Sequence, residues 1–265
     1  MVSDFKQPRP RGSAPALHLV GDATMADQCL PDGNAARGWG QLLHEFFRPG
    51  TRVLNHARDG RSSRSFIWEG HWARTLVDLR PGDWLVVQFG HNDRLVDHPL
   101  IGTDPAGSYA DFLSRFVRDA DRSGVNTVFA TPVHQRRFDA TGEPVDTLGA
   151  YARAMRDLAE ELEVPLIDLH EQTGLLPRSP DPRTPRDLFL DSAANGTRRQ
   201  AGRRTDTPRL SETGARIVAN LFAQSLRDYP LPLADWLLPR RRTACARHPR
   251  AARSGVRKDA AQHIA

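Results

Sequence analysis

The sequence predicts an α/β protein, a three-layer α/β/α sandwich built around a parallel five-stranded sheet. Five short apolar runs recur along the chain with helical segments between them, and this alternation is typical of a parallel sheet covered on both faces. The intervening segments space their apolar residues about 3.6 positions apart, as amphipathic helices do. A hydrophobic content of 39% and a charged content of 26% are ordinary for a globular protein, and 265 residues suit one domain rather than several.

The elements follow in order along the chain. The apolar runs predict strands at residues 16–20, 52–55, 84–89, 127–131 and 164–169. The clearest helical periodicities predict helices at residues 109–120, 148–162 and 212–226. Together they predict one domain over residues 14–239, with a disordered N-terminus at 1–13 and a disordered, Arg-rich tail at 240–265. Residues 177–204, rich in Pro, Arg, Asp and Ser, are interpreted as a loop at the functional face or as degraded sequence.

The positive charge is concentrated at the C-terminal end. A net charge of +5 and an isoelectric point of about 9.8 would by themselves suggest a nucleic acid or an anionic membrane as partner. Residues 240–265 alone carry +7, which leaves residues 1–239 at −2. Because this body has no basic stripe with interleaved aromatic residues, we expect no nucleic-acid partner. No run reaches the roughly 18 apolar residues of a membrane span, so we expect no membrane association.

The N-terminal segment and the cysteines bear on the compartment. No apolar signal-peptide region precedes residue 16, so we expect a cytoplasmic protein, or a secreted one if the N-terminus is incomplete. The only two cysteines, Cys29 and Cys245, exclude a disulfide scaffold and a Cys-rich metal site. We further expect a monomer that needs no cofactor.

The loops after the predicted strands carry the candidate chemistry, because ligands of open α/β sheets bind beyond the carboxyl ends of the strands. The first three loops are Gly-Asp-Ala-Thr at 21–24, the stretch 55–63 that contains Gly60, and Gly-His-Asn-Asp at 90–93. A fourth block, residues 206–215, precedes the last predicted helix.

These four blocks, in this order and spacing, resemble those of the SGNH (GDSL-type) hydrolases, and their details look like the rhamnogalacturonan acetylesterase branch. The resemblance runs from about residue 16 to residue 230, and it is supported by the strings GWGQ at 38–41, GRSSRS at 60–65, QFGHND at 88–93, TPV at 131–133, RRF at 136–138 and DTLGAY at 146–151. It implies a flavodoxin-like SGNH hydrolase fold. It also implies a carbohydrate O-acetylesterase whose substrate is a small acyl ester or an acetylated acidic polysaccharide.

Two positions depart from the family pattern that the resemblance implies. The family places a nucleophilic Ser at the third position of Gly-Asp-Ser, before a helix, whereas this chain has Ala23. In the last block the family has Asp-x-x-His, and here the spacing falls on Asp206 and Arg209. A methyl group cannot attack a carbonyl, and a guanidinium does not accept a proton at working pH. The backbone amides of Ala23 and Gly60 and the side-chain amide of Asn92 would still form the oxyanion hole.

Neighbouring hydroxyl groups offer poor replacements for the missing nucleophile. Thr24 follows Ala23, but one helical step turns a side chain by about 100 degrees, away from the position of Ala23. The hydroxyls of Ser62, Ser63, Ser65 and Ser211 are better interpreted as helix caps. His91, beside Asn92, could activate water only if its ring reaches the pocket.

The other histidines and the tryptophans favour structural roles. His18 lies inside the first predicted strand and is interpreted as a core residue. His44, His71 and His98 have no partner at metal-ligand spacing, and we predict no metal ligands. His134 and His170 end the fourth and fifth predicted strands, where a role at the rim of the pocket stays open. Trp68 and Trp72 are four positions apart on a predicted helix, which favours packing, although an aromatic ring near the pocket could stack on a sugar.

Two functional hypotheses remain open from the sequence. The chain is either an esterase-class protein with strongly impaired activity, or a pseudoenzyme that keeps the pocket as a binding module for a carboxylate or an acidic sugar. Natural loss of the catalytic residues is favoured over a designed substitution, because a designer who removes a nucleophile rarely changes the base as well.

Overall fold

The computed structural model describes residues 14–28, 35–135, 137–138, 144–176, 188–190 and 209–239. The predicted disordered segments at 1–13 and 240–265 lie outside the described residues, as does most of the predicted loop at 177–204. Within the described part of the chain, no helix is long and apolar enough to cross a membrane.

Five parallel strands form the central sheet in the order β2-β1-β3-β4-β7, which confirms the predicted fold class. Their bounds are β1 Ala16–Gly21, β2 Arg52–Asn55, β3 Trp84–Gln88, β4 Asn126–Ala130 and β7 Leu166–Ile167. The fifth strand was predicted at residues 164–169, which is longer than β7. The strand ends early because the Asp168 side chain accepts a hydrogen bond from the Glu171 amide and caps the start of the next helix. A small antiparallel pair that the sequence did not predict joins β5 (Arg137–Phe138) to β6 (Pro144–Val145).

The described residues form seven α-helices, of which the first five lie between strands along the chain and the last two follow β7. Their bounds are α1 Trp39–Leu42, α2 Ser63–Trp68, α3 His71–Asp78, α4 Ser108–Asp121, α5 Gly149–Glu161, α6 Leu169–Leu175 and α7 Glu212–Leu226. Two short 3₁₀ helices lie at Leu43–Phe46 and Pro232–Trp236. The three predicted helices correspond to α4, α5 and α7, and α7 has the predicted bounds because the Ser211 hydroxyl caps its first turn.

The sheet separates two buried cores, as a three-layer sandwich requires. On one face, Trp39 of α1 and Phe222 of α7 pack together against β1, β3 and β4, with 5.2 Å between their ring centroids. On the other face, Phe66, Phe89 and Phe116 form an aromatic cluster with α2 to α5. Alternate side chains of each strand therefore enter opposite cores.

The strand order reverses between β1 and β3. The chain runs from β1 outward to β2 and then returns to the other side of β1 with β3. In doubly wound sheets of this order, the crevice at such a reversal is where ligands bind. The loops that carry Ala23 and Asn92 leave the carboxyl ends of β1 and β3, so the fold places them on the two sides of this crevice.

Candidate functional site

The loop after β1 forms a single tight turn. The Asp22 carbonyl accepts hydrogen bonds from the amides of Met25 and Ala26, at 3.1 and 3.0 Å. The helix that the resemblance implies directly after Ala23 does not form within residues 23–28, where the Met25 carbonyl accepts a hydrogen bond from the Asn55 side chain at 2.9 Å. Ala23 itself is buried, with 3% of its surface exposed.

A buried pair of Asp22 and His91 joins the first loop to the third. The Asp22 Oδ2 atom lies 3.0 Å from Nδ1 of His91, and the Val133 carbonyl oxygen lies 2.9 Å from Nε2. Burial by itself would raise the pKa of the Asp22 carboxyl, but His91 and hydrogen bonds from Thr24 hold that pKa below its usual value. Both ring nitrogens of His91 thus have hydrogen-bond partners inside the protein, which leaves neither of them available to a water molecule in the pocket.

The second loop is tied to the first and the third. The Arg58 amide donates a hydrogen bond to the Gly21 carbonyl at 3.0 Å, and the Asn92 Nδ2 atom donates one to the Arg61 carbonyl at 3.1 Å. Gly60 has a φ of +75°, in the left-handed region that a glycine adopts without strain. The three predicted oxyanion donors, at Ala23, Gly60 and Asn92, thus lie in loops that are hydrogen-bonded to one another.

Arg209 reaches this cluster from the last block. Its backbone carbonyl accepts the Leu190 amide at 2.9 Å, which fixes the main chain. Its side chain donates to Asp59 Oδ2 at 2.8 Å and to Gln28 Oε1 at 3.1 Å. The Gln28 Nε2 atom in turn donates to the Ala23 carbonyl at 3.2 Å, so one glutamine side chain separates Arg209 from Ala23. Asp206 lies outside the described residues.

The hydroxyl groups near Ala23 already have structural partners. The Thr24 hydroxyl is fully buried and bonds to Asp22 and Gln88, at 2.8 and 3.1 Å. Ser62 and Ser65 form a capping box at the start of α2, as predicted. Ser63 was wrongly predicted to be a cap, because its hydroxyl bonds to the buried Asp93 carboxyl.

Sequence reasoning missed three residues that hold the site together. Gln28 and Asp59 bind the Arg209 side chain, and neither stood in a recognisable motif. Gln88, fully buried at the end of β3, accepts a hydrogen bond from Trp39 Nε1 at 2.8 Å and donates one to the Thr131 carbonyl at 3.0 Å. A buried glutamine that ends an apolar strand is the signal that could have identified it.

The tryptophans of α2 and α3 differ in burial. Trp72 is buried and its Nε1 atom donates to Asp119 at 3.0 Å, so the packing interpretation holds for it. Trp68 is 59% exposed, packs edge-on against Phe112, and is covered on its ring face by the Arg64 guanidinium.

Comparison with protein families identifies the family to which the chain belongs. The model of the GDSL-like lipase/acylhydrolase family matches residues 19–194, which include the loops of Ala23, Gly60 and Asn92 but not Arg209. The chain belongs to this GDSL family. Its members are also called SGNH hydrolases, and the relatives below place the chain in their rhamnogalacturonan acetylesterase-like branch.

Two relatives from Bacillus subtilis match this GDSL-family chain along most of their length. Rhamnogalacturonan acetylesterase RhgT is 38% identical over 224 residues, which cover 84% of this chain and 94% of RhgT. The probable rhamnogalacturonan acetylesterase YesY is 29% identical, with 85% of this chain and 98% of YesY covered.

Solved structures agree with the SGNH fold. The crystal structure of Bacillus subtilis YxiM superposes with a TM-score of 0.63 at 25% identity, covering 82% of this chain and 57% of that one. This chain therefore spans little more than half of the YxiM structure. A catalytic mutant of Axe2, an acetylxylan esterase from Geobacillus stearothermophilus, superposes with a TM-score of 0.54 at 18% identity, covering 81% and 95% of the two chains, and shows the fold alone.

Proposed function

We propose that this SGNH family member retains the carbohydrate-binding pocket of an O-acetylesterase and has lost acyl transfer, so that it binds an acetylated acidic polysaccharide with little or no turnover. The observation that carries the proposal is the Arg209–Gln28–Ala23 chain of hydrogen bonds. In this chain of hydrogen bonds, one glutamine side chain connects the Arg209 guanidinium to the carbonyl of Ala23 beside the crevice between β1 and β3. The substrate class follows from the acetylesterases RhgT and YesY, which match nearly all of their length to this chain.

The proposed loss of activity concerns two chemical groups, the nucleophile and the general base. Acyl transfer needs an oxygen nucleophile and a neutral base to take its proton, and the side chains at positions 23 and 209 supply neither. Loss of such residues costs about 10⁴ to 10⁶ in rate, and the oxyanion hole and binding alone leave about 10³ to 10⁴ over water. We therefore expect the residual rate of ester hydrolysis to be about 10³ to 10⁴ times the rate in water.

The alternative function is a binding module for a carboxylate or an acidic sugar. Its support is the orientation of the Arg209 guanidinium, which Gln28 and Asp59 hold toward the loops of Ala23 and Gly60. A planar guanidinium binds a carboxylate through two parallel hydrogen bonds. Asp59 occupies one donor of this guanidinium, so a ligand carboxylate would have to replace it or bind beside it.

A reversion series tests the proposal. The full chain is compared with Ala23→Ser, Arg209→His and the double variant for release of acetate from acetylated rhamnogalacturonan oligosaccharides and from p-nitrophenyl acetate. We expect the single variants to remain near the background rate and the double variant to gain at least about 10³-fold, because only it has both nucleophile and base. Ala23→Gly combined with Arg209→His is the matched control, since it changes both positions without supplying a hydroxyl.

Binding measurements separate the two functions. Titration calorimetry of the unmodified chain with acetylated and deacetylated oligosaccharides should show tighter binding of the acetylated form. Equal binding of both, abolished in Arg209→Ala, would favour the carboxylate-binding module. Rapid, saturable ester hydrolysis by the unmodified chain would overturn the loss of acyl transfer.

A further inference from the structure

Two histidines and an aspartate from three separate segments meet at the far side of the sheet. His134 follows β4, Asp146 follows β6, and His170 lies in the first turn of α6. Their potential ligand atoms all lie within 4.8 Å of one another. His170 Nε2 and Asp146 Oδ1 are 3.0 Å apart, and the two imidazole centroids are 5.0 Å apart. The spacing of these residues along the sequence predicted no metal site, because the three segments become neighbours only in the fold.

The backbone around the two histidines is fixed by a reciprocal pair of threonines. The His134 amide donates to the Thr173 hydroxyl of α6 at 2.9 Å, and the His170 amide donates to the Thr131 hydroxyl after β4 at 2.8 Å. The main chain at each histidine is thus anchored to the segment that carries the other histidine. Such anchoring lowers the cost of holding ligands together in one geometry.

The aspartate is held by the start of α5. Its Oδ1 atom accepts the Leu148 amide at 3.0 Å, and its Oδ2 atom would lie 2.6 Å from a Cβ at position 149. Gly149 therefore leaves the room that the carboxylate occupies. Asp146 is also the most exposed of the three side chains, at 44%, whereas His170 is 8% exposed, so an ion could enter from the solvent side of Asp146.

We propose that His134, Asp146 and His170 bind one first-row transition-metal dication of the zinc class. Two imidazoles and one carboxylate are the ligand types that zinc and its neighbours prefer, whereas calcium and magnesium take oxygen ligands. In a tetrahedral zinc site with ligand bonds of about 2.1 Å, ligand atoms lie about 3.4 Å apart. The observed separations, 3.0 Å between His170 Nε2 and Asp146 Oδ1 and at most 4.8 Å among all three ligand atoms, lie on both sides of that value. Water would take the fourth position.

The proposed ion links three elements and is separate from the acetylesterase-like loops. It would fasten the segment between β6 and α5 to the end of β4 and the start of α6, on the side of the sheet away from β1. Because the unfolded chain does not bring these ligands together, binding would favour the folded state. We therefore assign the site a stabilising role.

Metal titration of the full chain tests this site. After treatment with a chelator, the chain is titrated with zinc by calorimetry and with cobalt by visible absorption, and thermal unfolding is followed with and without zinc. We expect one equivalent of zinc, a rise of Tm with zinc, and the visible absorption of tetrahedral cobalt. His134→Ala and Asp146→Asn should each weaken zinc binding at least about 100-fold, more than loss of an outer partner does.

The exposed His98 supplies the matched control, because His98→Ala removes an imidazole outside the cluster and should leave zinc binding unchanged. If the buried His170→Ala fails to fold by circular dichroism, the two more exposed variants decide the outcome. The proposal is overturned if the unmodified chain binds no zinc, or if His134→Ala and Asp146→Asn bind it with unchanged affinity and stoichiometry.

Discussion

The Nη2 atom of Arg209 lies 2.8 Å from Oδ2 of Asp59, so the cation at the position where the sequence predicts the catalytic base has its own counterion. The two side chains are 38% and 40% exposed, and water and salt therefore screen their attraction. The pair connects the last block to the loop after β2 directly beside Gly60. The Arg209 guanidinium is thus an anchored and partly compensated charge at the crevice.

Removal of the Asp59 carboxylate should leave the Arg209 guanidinium without this counterion and open to a ligand carboxylate. We expect Asp59→Asn to bind galacturonate or acetate several-fold more tightly than the unmodified chain, because a ligand carboxylate then has no competitor at Arg209. The free energy of unfolding should change by less than about 1 kcal/mol, as is usual for exposed ion pairs. Calorimetric titration and urea unfolding measure the two quantities.

A similar ion pair elsewhere provides the control for Asp59. Glu45 binds Arg216 at 2.9 Å with comparable exposure, so Glu45→Gln removes an equivalent carboxylate without altering the crevice. It should leave ligand binding unchanged. If Asp59→Asn behaves like Glu45→Gln in the titration, Arg209 is not an anion-binding group.

Replacement of Gln88 should lower the free energy of unfolding. In Gln88→Leu, the buried Trp39 Nε1 atom and Thr131 carbonyl would lose their partner, at roughly 1–3 kcal/mol for each unpaired group. We expect the free energy of unfolding in urea to fall by about 2–5 kcal/mol. Gln224→Leu, at an exposed position of α7, is the control and should change stability by less than about 0.5 kcal/mol. A similarly small loss in Gln88→Leu would contradict the role of this hydrogen-bond hub.

A buried histidine pair should make stability depend on pH. His18 Nδ1 and His56 Nε2 are 2.9 Å apart, and Asp83 lies 3.3 Å from the other nitrogen of His18. Burial lowers the pKa of His56 from 6.5 to about 4, and burial likewise lowers the pKa of His18 despite the attraction of Asp83. Below pH 6.5 the unfolded chain takes up protons that the folded chain refuses, so these two groups lower stability as pH falls toward 4.

The titration of Asp93 raises the stability of the folded chain as pH falls, over much of the pH range in which the two histidines lower it. Burial raises the pKa of its carboxyl from 3.8 to about 7, so the folded chain binds this proton first and is stabilised as pH falls through 7. The unmodified protein alone therefore does not isolate the histidine effect, and a difference between variants is needed.

His56→Gln provides that difference, because glutamine can still hydrogen-bond His18 but does not titrate. We expect the stability of the unmodified chain relative to His56→Gln to fall by roughly 2–3 kcal/mol between pH 7 and pH 4. Urea unfolding at several pH values measures it. His98→Gln, at an exposed loop position, should show no such trend. A difference that is independent of pH would mean that His56 titrates normally in the folded chain.

The sequence by itself determined the fold class, and it predicts the departures from the family pattern. Apolar periodicity is a local property, and a serine cap is a local contact, which is why α7 was predicted with the bounds Glu212–Leu226. Ala23 and Arg209 could be recognised because the missing chemistry depends on residue type at a motif position. The small antiparallel pair β5–β6 was missed because its strands have only two residues each, too few to show periodicity.

Only the tertiary structure decided which side chains work together. Asp59 and Gln28 hold Arg209 from 150 and 181 positions away along the chain, and no local pattern encodes such contacts. His91 looked available beside Asn92 until its two ring nitrogens were found bonded to Asp22 and Val133. His134 and His170 were likewise unremarkable strand-end residues. They form a candidate metal site with Asp146 because parallel strands bring their carboxyl ends to one edge, whatever the distance between them in sequence.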